Sequence, residues 1–431
     1  MHHKGVLLVG CFAAVLASYH ICSAQISGKA APSPYKERVL HRFPGEKRGG
    51  APFAGVTFDS SGNLYGTTTQ GGVTGAGTVF ELTHSETGWK ETVLHSFRGA
   101  DGDYPNPGSL VFDRAGNIYG TTAYGGAYGF GTVYELTKRS NNTWAGRVLH
   151  SFRGVGNGDG QYPEAGVVFD SEGNLYGTTD LGGREAYGCP GNGCGTVFKL
   201  TPSGSHWKET LLYTFRGNED GAGVNAPVIF DAAGSLYGTT AEGGGPSNQG
   251  IIFELTQANG VWKEKVLHSF TGGSDGGVPY AGLTFHGTGH IYGSTSGGGT
   301  SGYGTVFELT HSETGWKETV LFNFDAGSDG GYPYYGTLLF DTTGNIYGTT
   351  LAGGCCGLGS VFELSPGGDG KWTETVLAAF VSDGDEGVQP VGGVVFDAAG
   401  NLYGTTSGGG NLGTCSDTVS GCGVVFELTP Q

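Results

Sequence analysis

Apolar and polar positions along this chain alternate in short runs. Gly166-Val167-Val168-Phe169-Asp170, Leu175 to Thr179 and Gly304 to Thr310 are typical: four to eight residues, rich in Val, Phe, Tyr and Thr. Asp-x-x-Gly-Asn, Gly-Gly and Asn-Gly punctuation separates them, which is the pattern of strands joined by tight turns. The runs recur as a unit. Gly-Asn-Leu-Tyr-Gly-Thr-Thr returns with small changes around Tyr65, Tyr119, Tyr176, Tyr237, Tyr292, Tyr347 and Tyr403, at spacings of 54 to 61 residues. A shorter run precedes each copy, a Gly-Thr-Val-Phe-Glu-Leu-Thr run follows, and six units add a fourth run opened by Trp89, Trp144, Trp207, Trp262, Trp316 or Trp372.

Each unit therefore predicts a four-stranded meander, with strands a, b, c and d. One such sheet has two apolar faces and must pack on its neighbours, and a closed ring leaves no uncovered end. The expected fold is all-β: a seven-bladed β-propeller over residues 36–431. Lys36 to Phe43 is a lone d run at the start, and the last unit ends after its c run near Thr429. We expect residues 36–43 to complete blade 7 and close the ring.

Composition narrows the function. Of 431 residues, 87 are Gly, without a Gly-X-Y period, and 12% are aromatic, so neither collagen nor simple disorder fits. The formal charge of −17 argues against nucleic acid and anionic membranes as partners. Residues 1–24 read as an export signal: Lys4, an apolar run from Gly5 to Ala17, then Cys22-Ser23-Ala24. Residues 25–35 read as a linker, no later segment reads as membrane-spanning, and the expected address is extracellular or periplasmic. Export makes disulfides available, so Cys189 with Cys194 and Cys415 with Cys422 are each expected to close a short b-to-c loop. Adjacent Cys355 and Cys356 are left open between bridged, reduced and intermolecular states.

The Pro-x-x-Gly-Val-x-Phe-Asp-x-x-Gly-Asn-Leu-Tyr phrase resembles the repeat of NHL-type propellers. More closely, Gly-Asn-Leu-Tyr-Gly-Thr-Thr with Gly-Gly and Gly-Thr-Val-Phe-Glu-Leu-Thr resembles the choice-of-anchor tandem repeat GloVer-containing proteins, across all seven units. That resemblance implies a propeller of secreted or surface-attached bacterial proteins and implies no reaction. The chain stops at Gln431 with no sorting segment, so covalent anchoring is not expected.

In a meander the b-to-c and d-to-a loops share one end of the ring, and here they are the long ones. Loops on a rigid scaffold are where binding resides. Aromatic rings stack on sugar C–H faces while carboxylates and amides bond hydroxyls. The candidate binding residues are Phe53, Tyr104, Asn106, Tyr162, Glu164, Asn225, Tyr280, Tyr332, Tyr334 and Tyr335. Asp180, Arg184 and Glu185 join them because they break the repeat, which packing alone does not explain. No cofactor is expected; were calcium bound, Asp101, Asp103, Asp383 and Asp385 offer the oxygens, although both stretches read first as Asp-Gly turns. His41, His95, His150 and His268 share one d-strand slot and read as packing or exposed residues. No nucleophile elbow, zinc-protease motif, phosphate loop or dinucleotide fingerprint occurs. The expected function is a secreted, monomeric protein that binds a glycan or an extracellular protein. The alternatives are a polysaccharide lyase or hydrolase on the same face, and a structural surface protein.

Overall fold

The computed structural model describes residues 33–431 except 87, 106–107, 185–187, 314, 369, 382–385, 411–414 and 416–420. The expected export signal lies outside the described residues, as do Asn106, Glu185, Asp383 and Asp385. Seven antiparallel sheets follow one another. In blade 1, strands a to d are Thr57–Phe58, Leu64–Thr68, Thr78–Ser85 and Gly88–Ser96. In blade 3 they are Val168–Phe169, Leu175–Thr179, Thr196–Ser203 and His206–Thr214. The outer d strands of blades 2, 4, 5 and 6 are Trp144–Ser151, Val261–Ser269, Gly315–Asn323 and Trp372–Ala379. In blade 7 that place is taken by Tyr35–Arg42, paired antiparallel with Val424–Pro430 from Tyr35 opposite Pro430 to Arg42 opposite Val424. Among the described residues no helix is long and apolar enough to cross a membrane.

The repeated motif is explained by packing. The Gly of Leu-Tyr-Gly-Thr-Thr lies under an aromatic ring of strand c: a Cβ on Gly177 would stand 2.5 Å from Phe198 Cζ, and one on Gly66 2.6 Å from Phe80 Cζ. The two threonines divide their work. The second bonds within its blade, as Thr179 Oγ1 does to Thr196 Oγ1 at 2.8 Å. In blades 2, 3, 4, 6 and 7 the first reaches the next blade, as Thr121 does to the Ala165 carbonyl at 2.8 Å, Thr178 to Ala226 at 2.9 Å, and Thr405 of blade 7 back to Ala54 of blade 1 at 2.6 Å. The core lies between blades, where Tyr119, Val133 and Phe152 of blade 2 pack against Val167, Leu175 and Phe198 of blade 3.

At the a-to-b turns, Asp113 accepts from Ala115 N–H, Asn117 N–H, the Asn117 side-chain amide and Tyr119 OH at 2.8 to 3.1 Å. Tyr119 also donates to Glu135 on strand c at 2.9 Å. Asp59, Asp170, Asp341 and Asp397 accept from Asn and Tyr in the same manner. In all seven blades the c–d ladder carries a bulge that leaves one Leu of strand d unpaired, Leu149 in blade 2, just before the slot held by His150. A bulge re-aims the side chain that follows it. The disulfides Cys189–Cys194 and Cys415–Cys422 are formed, and the sulfurs of Cys355 and Cys356 lie 3.3 Å apart.

Candidate ligand site at the axial mouth

The chain approaches the axis once per blade, just before strand a. Six positions ahead of the turn aspartate, or His286 in blade 5, stand Phe53, Glu164, Asn225, Tyr280, Tyr335 and Val391. One backbone slot thus delivers five kinds of side chain from blades 1, 3, 4, 5, 6 and 7 to one mouth. Tyr335 of blade 6 donates its OH to Glu164 Oε2 of blade 3 at 3.2 Å, spanning the axis. The Asn225 amide donates to Glu164 Oε2 at 3.1 Å and to Asp180 Oδ1 at 3.2 Å. Asp180 follows the second Thr of its motif, where the other blades carry Thr69, Ala123, Ala241, Ser296, Leu351 and Ser407. A slot satisfied elsewhere by small or apolar residues does not need a carboxylate, and this one is only 4% exposed.

The mouth has two sides. Glu164, Asp180 and Asn225 form a polar side; Phe53, Leu351 and Val391, with Tyr332, Tyr334 and Tyr335 packed against them, form an apolar one. Tyr280 lies 4.7 Å from Tyr334 and 5.8 Å from Tyr335 between ring centroids. Phe53, Tyr104, Tyr124 and Tyr162 continue the aromatic belt at spacings of 5.2 to 6.3 Å. Below it lies an apolar throat of about 280 Å³ lined by Val56, Val111, Val167, Leu338 and Val394, with Tyr335 at its upper edge.

Burial pushes the Glu164 carboxyl above its ordinary range, against the bonds from Asn225 and Tyr335. Burial and then the charge of Glu164 push Asp180 well above its own. The same two causes raise the phenol of Tyr335, and push Tyr124 up to about 12. Two carboxyls close together in an enclosed site hold a proton more readily than either would alone. A protonated carboxyl both donates and accepts, so the pair can meet hydroxyl groups in either sense.

The structure brings together Phe53, Tyr104, Tyr162, Glu164, Asp180, Asn225, Tyr280, Tyr332, Tyr334 and Tyr335. Arg184 stands apart: it lines a cavity of about 740 Å³ on the outer flank of blade 3 with Arg216 and Trp262. Asp101 serves its own loop, accepting from Arg98 N–H at 2.7 Å and meeting His95 Nε2 at 3.0 Å. Asp103 begins a short strand, Asp103–Pro105, that pairs with Ile118–Tyr124.

The d-strand histidines pack as expected, each edge-on against the Phe two residues on at 4.7 to 4.8 Å, and they have a second feature. They point into the seams between blades, towards acids. His41 Nε2 is 3.4 Å from Glu91, His95 3.0 Å from Asp101, His150 3.2 Å from Asp159 and His268 3.6 Å from Asp275. Each seam adds strand-d residues of two successive blades. Three of these acids follow their histidine by six to nine residues, within reach of a linear reading; Glu91 beside His41, and Glu209, 3.8 Å from His150, come instead from the next repeat.

The fold is shared with solved propellers of low sequence identity. An ancestral GH74 enzyme aligns with a TM-score of 0.54 at 12% identity, over 89% of this chain and 48% of its own. A candidate 6-phosphogluconolactonase of Bacteroides fragilis aligns at 0.50 and 14%, over 82% and 88% of the two chains. One of Bacteroides uniformis aligns at 0.50 and 14%, over 85% and 98%. At such identities the likeness is one of fold. The curated proteins include no match to this sequence. The Gloeobacter/Verrucomicrobia repeat matches residues 29–244, 107–286 and 225–431, which together take in all seven blades, and the chain belongs to that repeat family.

Proposed function

We propose that this protein is an exported binding protein that takes a carbohydrate at the axial mouth. The observation that carries the reading is the meeting of Glu164, Asp180 and Asn225 with the rings of Tyr162, Tyr280, Tyr334 and Tyr335 at one opening. Half-buried tyrosines present faces to sugar C–H groups, and the acid pair with its amide offers both donors and acceptors to hydroxyls. The export-type start and the two disulfides support an extracellular or periplasmic address.

A glycan array followed by titration of its hits tests this. Asp180→Asn and Tyr280→Ala should each weaken binding by roughly five- to thirtyfold, the worth of one charge-assisted hydrogen bond or one ring contact. Binding that neither change affects would remove the mouth from the account, and an array with no hits would leave the structural-protein reading. The acid pair favours a second reading, cleavage of the bound polysaccharide with Glu164 as the proton donor. Under it Glu164→Gln abolishes release of reducing ends while binding persists; a wild-type protein that binds a polymer and leaves it intact is a binder only.

A further inference from the structure

We propose that His150, Asp159 and Glu209 form a site for one divalent transition-metal ion, of the zinc or manganese class, at the seam between blades 2 and 3. The three come from separate elements: His150 from strand d of blade 2, Asp159 from the loop that follows it, and Glu209 from strand d of blade 3. One ligand atom from each lies within 4.8 Å of the other two. His150 Nε2 is 3.2 Å from Asp159 Oδ2 and 3.8 Å from Glu209 Oε2. Ligands bound at about 2.0 to 2.2 Å stand roughly 3 to 3.5 Å apart, so small side-chain shifts convert this cluster into a coordination sphere.

Each ligand is oriented from behind. The His150 ring meets Phe152 edge-on at 4.7 Å, which aims Nε2 into the seam. Asp159 is buried, and its carboxylate accepts from Arg153 N–H at 2.9 Å and Gly160 N–H at 2.6 Å, leaving lone pairs for a cation. Glu209 Oε1 is sealed from solvent without a hydrogen-bond partner, as is Oε1 of the matching Glu37, Glu91, Glu264, Glu318 and Glu374, so what sets this seam apart is the approach of Glu209 Oε2 to His150 and Asp159. An enclosed oxygen without a donor is costly, and at this seam alone among the described residues a His nitrogen and a second carboxylate converge close enough for one cation to bind all three. The triad opens onto a cavity of about 420 Å³ lined also by Arg153, Asn157, Trp207 and Lys208. Three protein ligands with an open side is the arrangement that leaves positions for water or an anion. One imidazole and two carboxylates suit zinc or manganese, whereas calcium wants six to eight oxygens.

The other seams serve as internal controls. Gly146 stands where Glu209 would be needed beside His95 and Asp101, while Tyr213, Phe322 and Ala378 replace the histidine elsewhere. At the blade 7–1 seam Arg48 occupies Glu91, with Nη2 to Oε2 at 2.6 Å. His268, Asp275 and Glu318 repeat the residue types, but among the described residues the triad at blades 2 and 3 alone brings all three ligand atoms within 4.8 Å. The convergence, not the composition, distinguishes it.

The test uses the full chain carrying Cys355→Ser and Cys356→Ser, so that the adjacent thiols do not capture zinc. The protein is stripped with a chelator and titrated calorimetrically with ZnCl2 and, separately, MnCl2. One ion should bind per chain, with a rise in thermal midpoint. His150→Ala and Glu209→Gln should each weaken binding at least about tenfold, as loss of a ligand does, and His268→Ala should leave it unchanged. Absence of binding for both ions, or affinity retained in Glu209→Gln, overturns the proposal, as does loss in His268→Ala alone. Should His150→Ala fail to fold, Glu209→Gln, which keeps the shape of the side chain, decides.

Discussion

The two ends of the ring are built from the same seven repeats and do opposite things with them. At the turn end, six blades anchor the same turn on an aspartate that accepts from the strand-b Tyr, and most add the Asn and Glu of Asp113's network; blade 3 substitutes Lys199 for the Glu, blade 4 Ser235 for the Asn, and blade 5 His286 and His290 for the Asp and Asn. At the mouth a single slot yields Phe53, Glu164, Asn225, Tyr280, Tyr335 and Val391, and a small-residue slot yields Asp180. The first end is bonded internally: in blade 2 both oxygens of Asp113 accept from its own turn, and Tyr119 OH lies between Asp113 and Glu135. The second gathers Glu164, raised by burial and bonded to Tyr335 across the axis, with Asp180, raised by burial and then by the charge of Glu164. Uniform repetition marks what the scaffold requires, and departure from it marks where side chains are released for another use.

The sharpest challenge to this contrast is to exchange acids for neutral residues at both ends. Asp113→Ala removes the acceptor of four hydrogen bonds and should destabilise the protein by about 2 to 4 kcal/mol, read from the denaturant midpoint. Asp180→Asn, by contrast, relieves a like-charge contact with Glu164 and should leave the thermal midpoint equal or higher. A loss of stability in Asp180→Asn as large as in Asp113→Ala would make the mouth acid structural and erase the distinction. Gly177→Ala should fall between them, costing roughly 1 to 3 kcal/mol because the added methyl meets Phe198.

Much of the architecture could be read from the sequence because a repeat states its rule several times over. Tyr-Gly-Thr-Thr recurs because the Gly admits a ring and the two hydroxyls bond in different directions, so strand placement followed from the phrase. The mouth was legible in part. Glu164, Asn225 and Tyr280 follow from their place before strand a, and Asp180 from its departure from the pattern. What escaped was pairing between repeats. Nothing in the neighbourhood of His150 points to Glu209, since the contact depends on the packing angle of two blades and on the bulge at Leu149. Arg184 breaks the repeat as Asp180 does, yet it lies with Arg216 and Trp262 on the flank of blade 3: departure from the pattern marks a released side chain and does not say at which surface it emerges.

The smallest expected effect concerns the seams, which are neither as closed as the turn end nor as open as the mouth. Glu264, Glu318 and Glu374 are each pushed up to about 7, by burial first and then by the facing carboxylates Asp220, Asp275 and Asp329. In the unfolded chain a glutamate titrates near about 4.3. A carboxyl whose proton affinity is raised by folding adds stability that is complete below the unfolded value and is lost as the pH climbs through the folded one. The turn aspartates work in the other direction: burial raises them, but their donors outweigh it and hold them below the usual range, so their contribution fades only in strong acid. His268, held down by burial, also opposes acidification. The thermal midpoint should therefore be highest in mild acid and fall by a few degrees towards pH 8. The triple variant Glu264→Gln, Glu318→Gln, Glu374→Gln should flatten that slope without changing the mouth. A midpoint that rises from pH 5 to pH 8 would mean that these glutamates ionise freely, and that the seams, unlike the mouth, are wet enough to behave as surface.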